Sequence, residues 1–94
     1  MDQDKIQAIQ DYLKKQFPDA DHENKEDVQT MSQLFRIVTE EHVMLASVSR
    51  ELIDDESAEV IMSRIERWDV VSLLKQHPEE TVVVTSKGSS IVPR

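Results

Sequence analysis

Gly88 is the only glycine in 94 residues, and that scarcity restricts what this backbone can do more than any other feature. Loops that wrap a pyrophosphate or triphosphate need several residues without side chains, so that N–H groups can approach the ligand. Neither a P-loop nor a Rossmann fingerprint can be written here, and the G-x-S-x-G nucleophile elbow is missing for the same reason. Nucleotide chemistry through these motifs is excluded.

The spacing of apolar residues gives the organisation. Ile6, Ile9, Leu13 and Phe17, with Tyr12 beside them, recur at steps of three and four, which predicts an amphipathic helix from Asp2 to Phe17. Asp4 with Gln7 is spaced as an N-cap pair, Asp11 with Lys15 as an i,i+4 ion pair, and Pro18 closes the helix. Residues 19 to 27, Asp-Ala-Asp-His-Glu-Asn-Lys-Glu-Asp, hold five carboxylates and are expected to form a solvated acidic loop. Gln33–Thr39 and His42–Ser49 are rich in β-branched and aromatic residues around a reversal at Thr39-Glu40-Glu41-His42, which predicts an antiparallel hairpin. That reversal lacks Gly or Asn, so a loop longer than the two-residue primed turn is expected.

From Asp55 the helical period returns, with Ala58, Ile61, Met62, Ile65 and Trp68 on one face and Asp54 or Asp55 as cap. Asp69 can cap a second segment, Val70–His77, before Pro78, so a bend or break is expected near Trp68. Thr81–Ser86 reads as a strand, Lys87–Ser90 as a turn and Ile91–Arg94 as a short apolar tail. Residues 87–94 thus form a C-terminal tail, resembling what a cleaved protease-recognition tag leaves behind.

Helix, strand, strand, helix or helix pair, strand implies one α+β domain over residues 1–94: a two-layer sandwich with a small, mostly antiparallel three-stranded sheet. A right-handed crossover runs the last strand parallel to the second, so placing it beside the first gives spatial order 2-1-3, antiparallel throughout. This element order resembles that of the type II KH domain, used for single-stranded nucleic acid. Where that family carries its phosphate-clamping G-x-x-G loop, this chain reads Glu66-Arg67-Trp68-Asp69. The resemblance therefore covers topology and not the phosphate clamp.

Both faces of the hairpin are apolar, with Phe35 and Ile37 against Leu34 and Val38, and Met44, Ala46 and Val48 against Val43 and Leu45. A half-exposed sheet alternates more cleanly. Either helices cover both faces or one face meets another subunit, and a homodimer is the expected form of the second case.

Net charge is −8, with 19 acidic against 11 basic residues. Such a surface repels nucleic-acid backbones and anionic membranes. There is no cysteine, hence no disulfide, thiolate nucleophile or cysteine-based metal site. The longest apolar run, Val43–Ala46, is too short for a membrane span, and the opening residues lack a signal-peptide pattern. A cytoplasmic location is the expectation.

No reaction emerges from the candidate sites. Asp19, Asp21 and Glu23 mimic the first EF-hand ligands, but Asn24 stands where glycine is needed and Thr30 where the closing carboxylate belongs. His22, His42 and His77 fall in three separate predicted connections, so neither a metal nor a cofactor is expected. Glu40, Glu41 and His42 could supply a base and Ser47 or Ser49 a hydroxyl, without an identifiable oxyanion hole or orienting acid. Arg64, Arg67 and Trp68 form the one cluster with hot-spot chemistry, Arg64 and Trp68 having i,i+4 cation–π spacing. The expected function is a small, non-catalytic interaction or accessory domain that binds a protein partner or itself. The alternative is a nucleic-acid-associated domain with a patch built from Arg36, Arg50, Arg64, Arg67 and Lys75.

Overall fold

The structure, a computed structural model, describes residues 2–94. Helix α1 (Asp2–Gln16) is followed by strands β1 (Asp21–Asp27), β2 (Ser32–Val38) and β3 (Val43–Ser49). Helices α2 (Arg50–Asp55), α3 (Ala58–Arg67) and α4 (Val70–Gln76) lead to β4 (Thr81–Thr85) and β5 (Gly88–Val92). The strands form one sheet in the order β1-β2-β3-β4-β5, with β3 and β4 parallel and every other pair antiparallel. The α+β class is as expected; the sheet has five strands where the sequence indicated three.

Residues 21–27 of the expected acidic loop are strand β1, paired with β2 in full register from Asp21 opposite Val38 to Asp27 opposite Ser32. Its period of two is written in polar residues, so no apolar alternation reveals it. On the side facing the helices, a chain of amides replaces apolar packing. Asn24 Nδ2 donates to Gln10 Oε1 on α1, and Gln33 Nε2 on β2 donates to Asn24 Oδ1 at 2.8 Å. His22 Nε2 donates to the Phe17 carbonyl at 2.9 Å. Asp21, Glu23 and Lys25 are exposed on the opposite side, as charges that keep an edge strand from recruiting another chain.

The presence of β1 also corrects the expected 2-1-3 order. The outer edge of β2 is occupied, so the strand returning from the helices pairs with β3 instead, in parallel, with Leu45 opposite Thr81 and Val48 opposite Val84.

The remaining differences concern helix ends and the tail. Helix α1 opens at Asp2, so Asp4 lies within its first turn, and the Asp11 carboxylate accepts from Gln7 Nε2 at 2.9 Å. Residues 50–55 form a short helix that buries Leu52 and Ile53. Ser57, not Asp54 or Asp55, caps α3, its hydroxyl accepting the Val60 N–H at 3.2 Å. The break near Trp68 is real: Asp69 takes φ 53°, without a side-chain cap bond, and separates α3 from α4.

Residues 88–92 of the expected turn and tail are strand β5, joined to β4 through Ser86 and Lys87. Gly88 opens it at φ 137°, a backbone region that side chains disfavour, although no atom lies within 4 Å of where a Cβ would stand. The cost of a side chain there is conformational and not steric. Gly88→Ala is expected to destabilise the protein by about 1–3 kcal/mol, read as a lowered urea midpoint with unchanged slope.

The helices pack on one side of the sheet only. Ile6, Ile9 and Leu13 of α1, Ile61 and Ile65 of α3, and Val70 and Leu74 of α4 bury against Phe35, Ile37, Met44, Ala46, Val48, Val82 and Val84. Burying each of these side chains other than the small Ala46 contributes about 1.5–3 kcal/mol before entropy is counted. None of the apolar side chains on the other side belongs to this cluster.

Candidate interaction surfaces

Strand register fixes what the uncovered face displays. Directly opposed residues share a face, so the pairings define transverse rows across the sheet. One row is Glu23, Arg36, Leu45, Thr81, Val92, and the next is Lys25, Leu34, Ser47, Val83, Ser90. Asp21, Val38 and Val43 begin the row at one end, and Asp27, Ser32 and Ser49 the row at the other. Leu34, Val38, Val43, Leu45 and Val83 are half-buried, and Val92 is exposed.

Charge is distributed unevenly over this face. Strand β1 contributes Asp21, Glu23, Lys25 and Asp27, and Arg36 of β2 pairs with Glu23. The strand residues of β3, β4 and β5 carry no charge at all. The face is therefore acidic along one flank, apolar at its centre and neutral along the other flank.

The Arg64, Arg67, Trp68 cluster lies at the end of α3. The Arg64 guanidinium stands 5.9 Å from the Trp68 ring centroid and 3.4 Å from the Glu56 carboxylate. Trp68 is half-buried against the core, and its carbonyl accepts from the Ser89 hydroxyl at 3.4 Å, which ties the α3–α4 break to β5. Arg67 is exposed. Nearby Tyr12 has its phenol pKa raised, by burial first and then by the charges of Glu66 and Asp69.

The five cations of the alternative patch do not share a surface. Arg36 projects from the uncovered sheet face, whereas Arg50, Arg64, Arg67 and Lys75 belong to the helices. Arg50 lies 3.6 Å from Asp54, and Lys75 stands over the Phe17 ring.

Other combinations read from the sequence are likewise apart. His42 immediately precedes β3, so at 3.3 Å per residue Ser47 and Ser49 are about 16 and 23 Å along the chain from it. His22 holds a backbone carbonyl, His42 stands beside Glu41 at 4.0 Å, and His77 contacts Glu80 at 3.1 Å. In β1 the carboxylates are spread along an extended strand and cannot wrap a cation as an EF-hand loop does. Among the described residues no group of three or more His, Asp or Glu could hold a metal ion, and no helix is long and apolar enough to cross a membrane.

No family model matches the sequence, and neither a curated protein nor a solved structure proves similar to it. Sequence reasoning found the apolar second face of the hairpin but not its extension across β4 and β5, because β5 contributes only Ser90 and Val92 to it. It missed the β1–β2 turn, where Val28 and Met31 lie exposed; two large apolar residues flanking Gln29-Thr30 were the available signal.

Proposed function

We propose that this protein is a non-catalytic interaction domain that self-associates through the uncovered face of its sheet. The observation that carries the reading is the apolar centre of that face, Leu34, Val38, Val43, Leu45 and Val83, left without a covering layer. A sheet with one apolar face covered and a second exposed completes itself by packing on another sheet about 10 Å away.

The occupant is a second copy, and the charge distribution selects the arrangement. A two-fold axis perpendicular to the strands lays β1 antiparallel over its own copy and sets Asp21 against Asp27 at both ends of the strand, with Glu23 facing Lys25 between them. An axis along the strands, above β3, lays β1 over the partner's uncharged β5 and β3 over β3. The second arrangement avoids the repulsion and keeps Leu45 and Ser47 central. The face measures about 20–25 Å by 20 Å from strand spacing and rise, hence about 1,000 Å² for both copies, the lower end of specific interfaces. Self-association is accordingly weak, with a dissociation constant on the order of tens of micromolar.

Because the chain has no cysteine, single-cysteine variants report the geometry cleanly. Lys25 and Ser90 end the same transverse row, and both are exposed. A short bismaleimide is expected to join Lys25→Cys to Ser90→Cys when the two are mixed, and neither to itself. Homotypic Lys25→Cys product would instead favour the perpendicular axis. Absence of any product at concentrations above the expected dissociation constant would remove the sheet face from the interface.

A further inference from the structure

The large apolar side chains most open to solvent among the described residues are Val28 and Met31, 71% and 64% exposed, in the turn joining β1 to β2. The turn is well anchored. The Met31 N–H donates to the Val28 carbonyl at 3.4 Å, the Gln29 N–H to Asp27 Oδ1 at 3.1 Å, and the Arg50 N–H to the Met31 carbonyl at 2.9 Å. Met31 adopts φ 51°, the left-handed region in which glycine or asparagine sits at lower cost. A strained position thus presents a large apolar side chain that gains little burial in return.

Met31 lies between two shallow depressions of about 340 and 540 Å³ that meet at Arg50 and Asp54. Their walls carry Glu26, Asp27, Glu51, Asp54 and Asp55 against the single cation Arg50, a net −4, half of the chain's −8. An apolar pair ringed by carboxylates complements one kind of surface. We propose that the β1–β2 tip is a docking site for a basic segment of another protein, which sets an apolar side chain on Met31 and Val28 while flanking lysines or arginines face the carboxylates. Nucleic acid and anionic membrane are repelled by this charge, and a second copy would oppose −4 to −4. Methionine suits the role, since its unbranched thioether adapts to the shape of the incoming group. The carboxylates speed encounter and make binding salt-sensitive, while the apolar pair supplies a part that salt does not remove. The site is independent of the sheet face and does not need self-association.

The test is fluorescence anisotropy on the full chain with a labelled amphipathic peptide of lysine and leucine, and a control peptide in which serine replaces every leucine. The leucine peptide is expected to bind more tightly than the control, and Met31→Gly to weaken it about tenfold through lost apolar contact. Met31→Gly is expected to keep or raise the urea midpoint, because glycine relieves the left-handed backbone; Met31→Asn serves as a second variant with the same conformational tolerance. Glu51→Gln with Asp55→Asn is expected to weaken both peptides at low salt only. Equal binding of the two peptides, unchanged leucine-peptide affinity in both Met31 variants, or amide shifts confined to residues outside 26–31 and 50–55 would each overturn the proposal. So would preferential capture of a labelled oligonucleotide.

Discussion

Leu45→Glu is expected to leave the protein monomeric at every accessible concentration while its fold persists. Leu45 is the middle residue of a transverse row on the central strand, half-buried on the uncovered face and directly opposite Arg36 of β2. In a two-fold dimer with its axis above β3, the substitution counts twice and brings two carboxylates together at the centre of the interface. Each copy loses about 1.5–3 kcal/mol of apolar burial and adds a charge with no partner across the interface, so dissociation rises by about three orders of magnitude. In the monomer the new carboxylate remains wetted and faces Arg36, which limits the loss of stability to about 1 kcal/mol. Sedimentation equilibrium with urea unfolding of the same samples separates the two effects. A wild-type protein that is itself monomeric at a millimolar would sink the dimer reading without touching the fold.

Asn24→Ala is expected to cost about 2–3 kcal/mol, more than its position on an exposed edge strand suggests. Asn24 is the middle member of the amide chain from Gln10 on α1 to Gln33 on β2, and Gln33 is only 5% exposed. Truncation leaves the Gln33 amide buried without its acceptor and removes the bond that holds α1 over β1. No apolar side chain of β1 stands by to hold the strand in compensation. Urea unfolding gives the magnitude, and amide exchange should show residues 21–27 opening ahead of the other strands. Adding Gln33→Leu to Asn24→Ala should recover much of the loss, since replacing both partners with apolar groups removes the unsatisfied atom. An Asn24→Ala midpoint close to wild type would show that the ladder to β2 alone secures the strand.

Elements whose hydrophobic period matched their secondary structure were legible in the sequence. Ile6, Ile9 and Leu13 announced α1, the alternation about Phe35 and Ala46 announced the central hairpin, and Ile61, Ile65 and Trp68 announced α3 with its break. Strand β1 was not legible because its inward side uses His22 and Asn24 with hydrogen bonds in place of apolar contacts. Strand β5 was obscured by Ser89 and Ser90 and by proximity to the end of the sequence. The strand-order error followed from the first omission, since a strand read as a loop leaves a free edge that does not exist. Of the candidate surfaces, the apolar second face of β2 and β3 was visible as excess hydrophobicity. Its acidic flank and the carboxylates around Met31 become neighbours only through the register of β1 and the folding of residues 50–55 into a helix. Arg64 and Trp68 meet as their spacing indicated, but the indole is also partly buried against the core.

Four strand junctions hold the sheet, and three of them join neighbours across short turns. The parallel pairing of β3 with β4 alone must wait for the chain from Arg50 through Glu80 to become compact. Loop-closure entropy therefore concentrates at a single junction, and the three intervening helices act as a spacer whose early collapse brings the two strands within reach. Until that junction closes, β3 presents an open edge, and the β1-β2-β3 meander is a partly assembled sheet whose apolar faces are exposed on both sides. The speed with which α2, α3 and α4 condense thus governs how long the nascent chain can pair with the wrong strand, a vulnerability of assembly and not of the finished molecule.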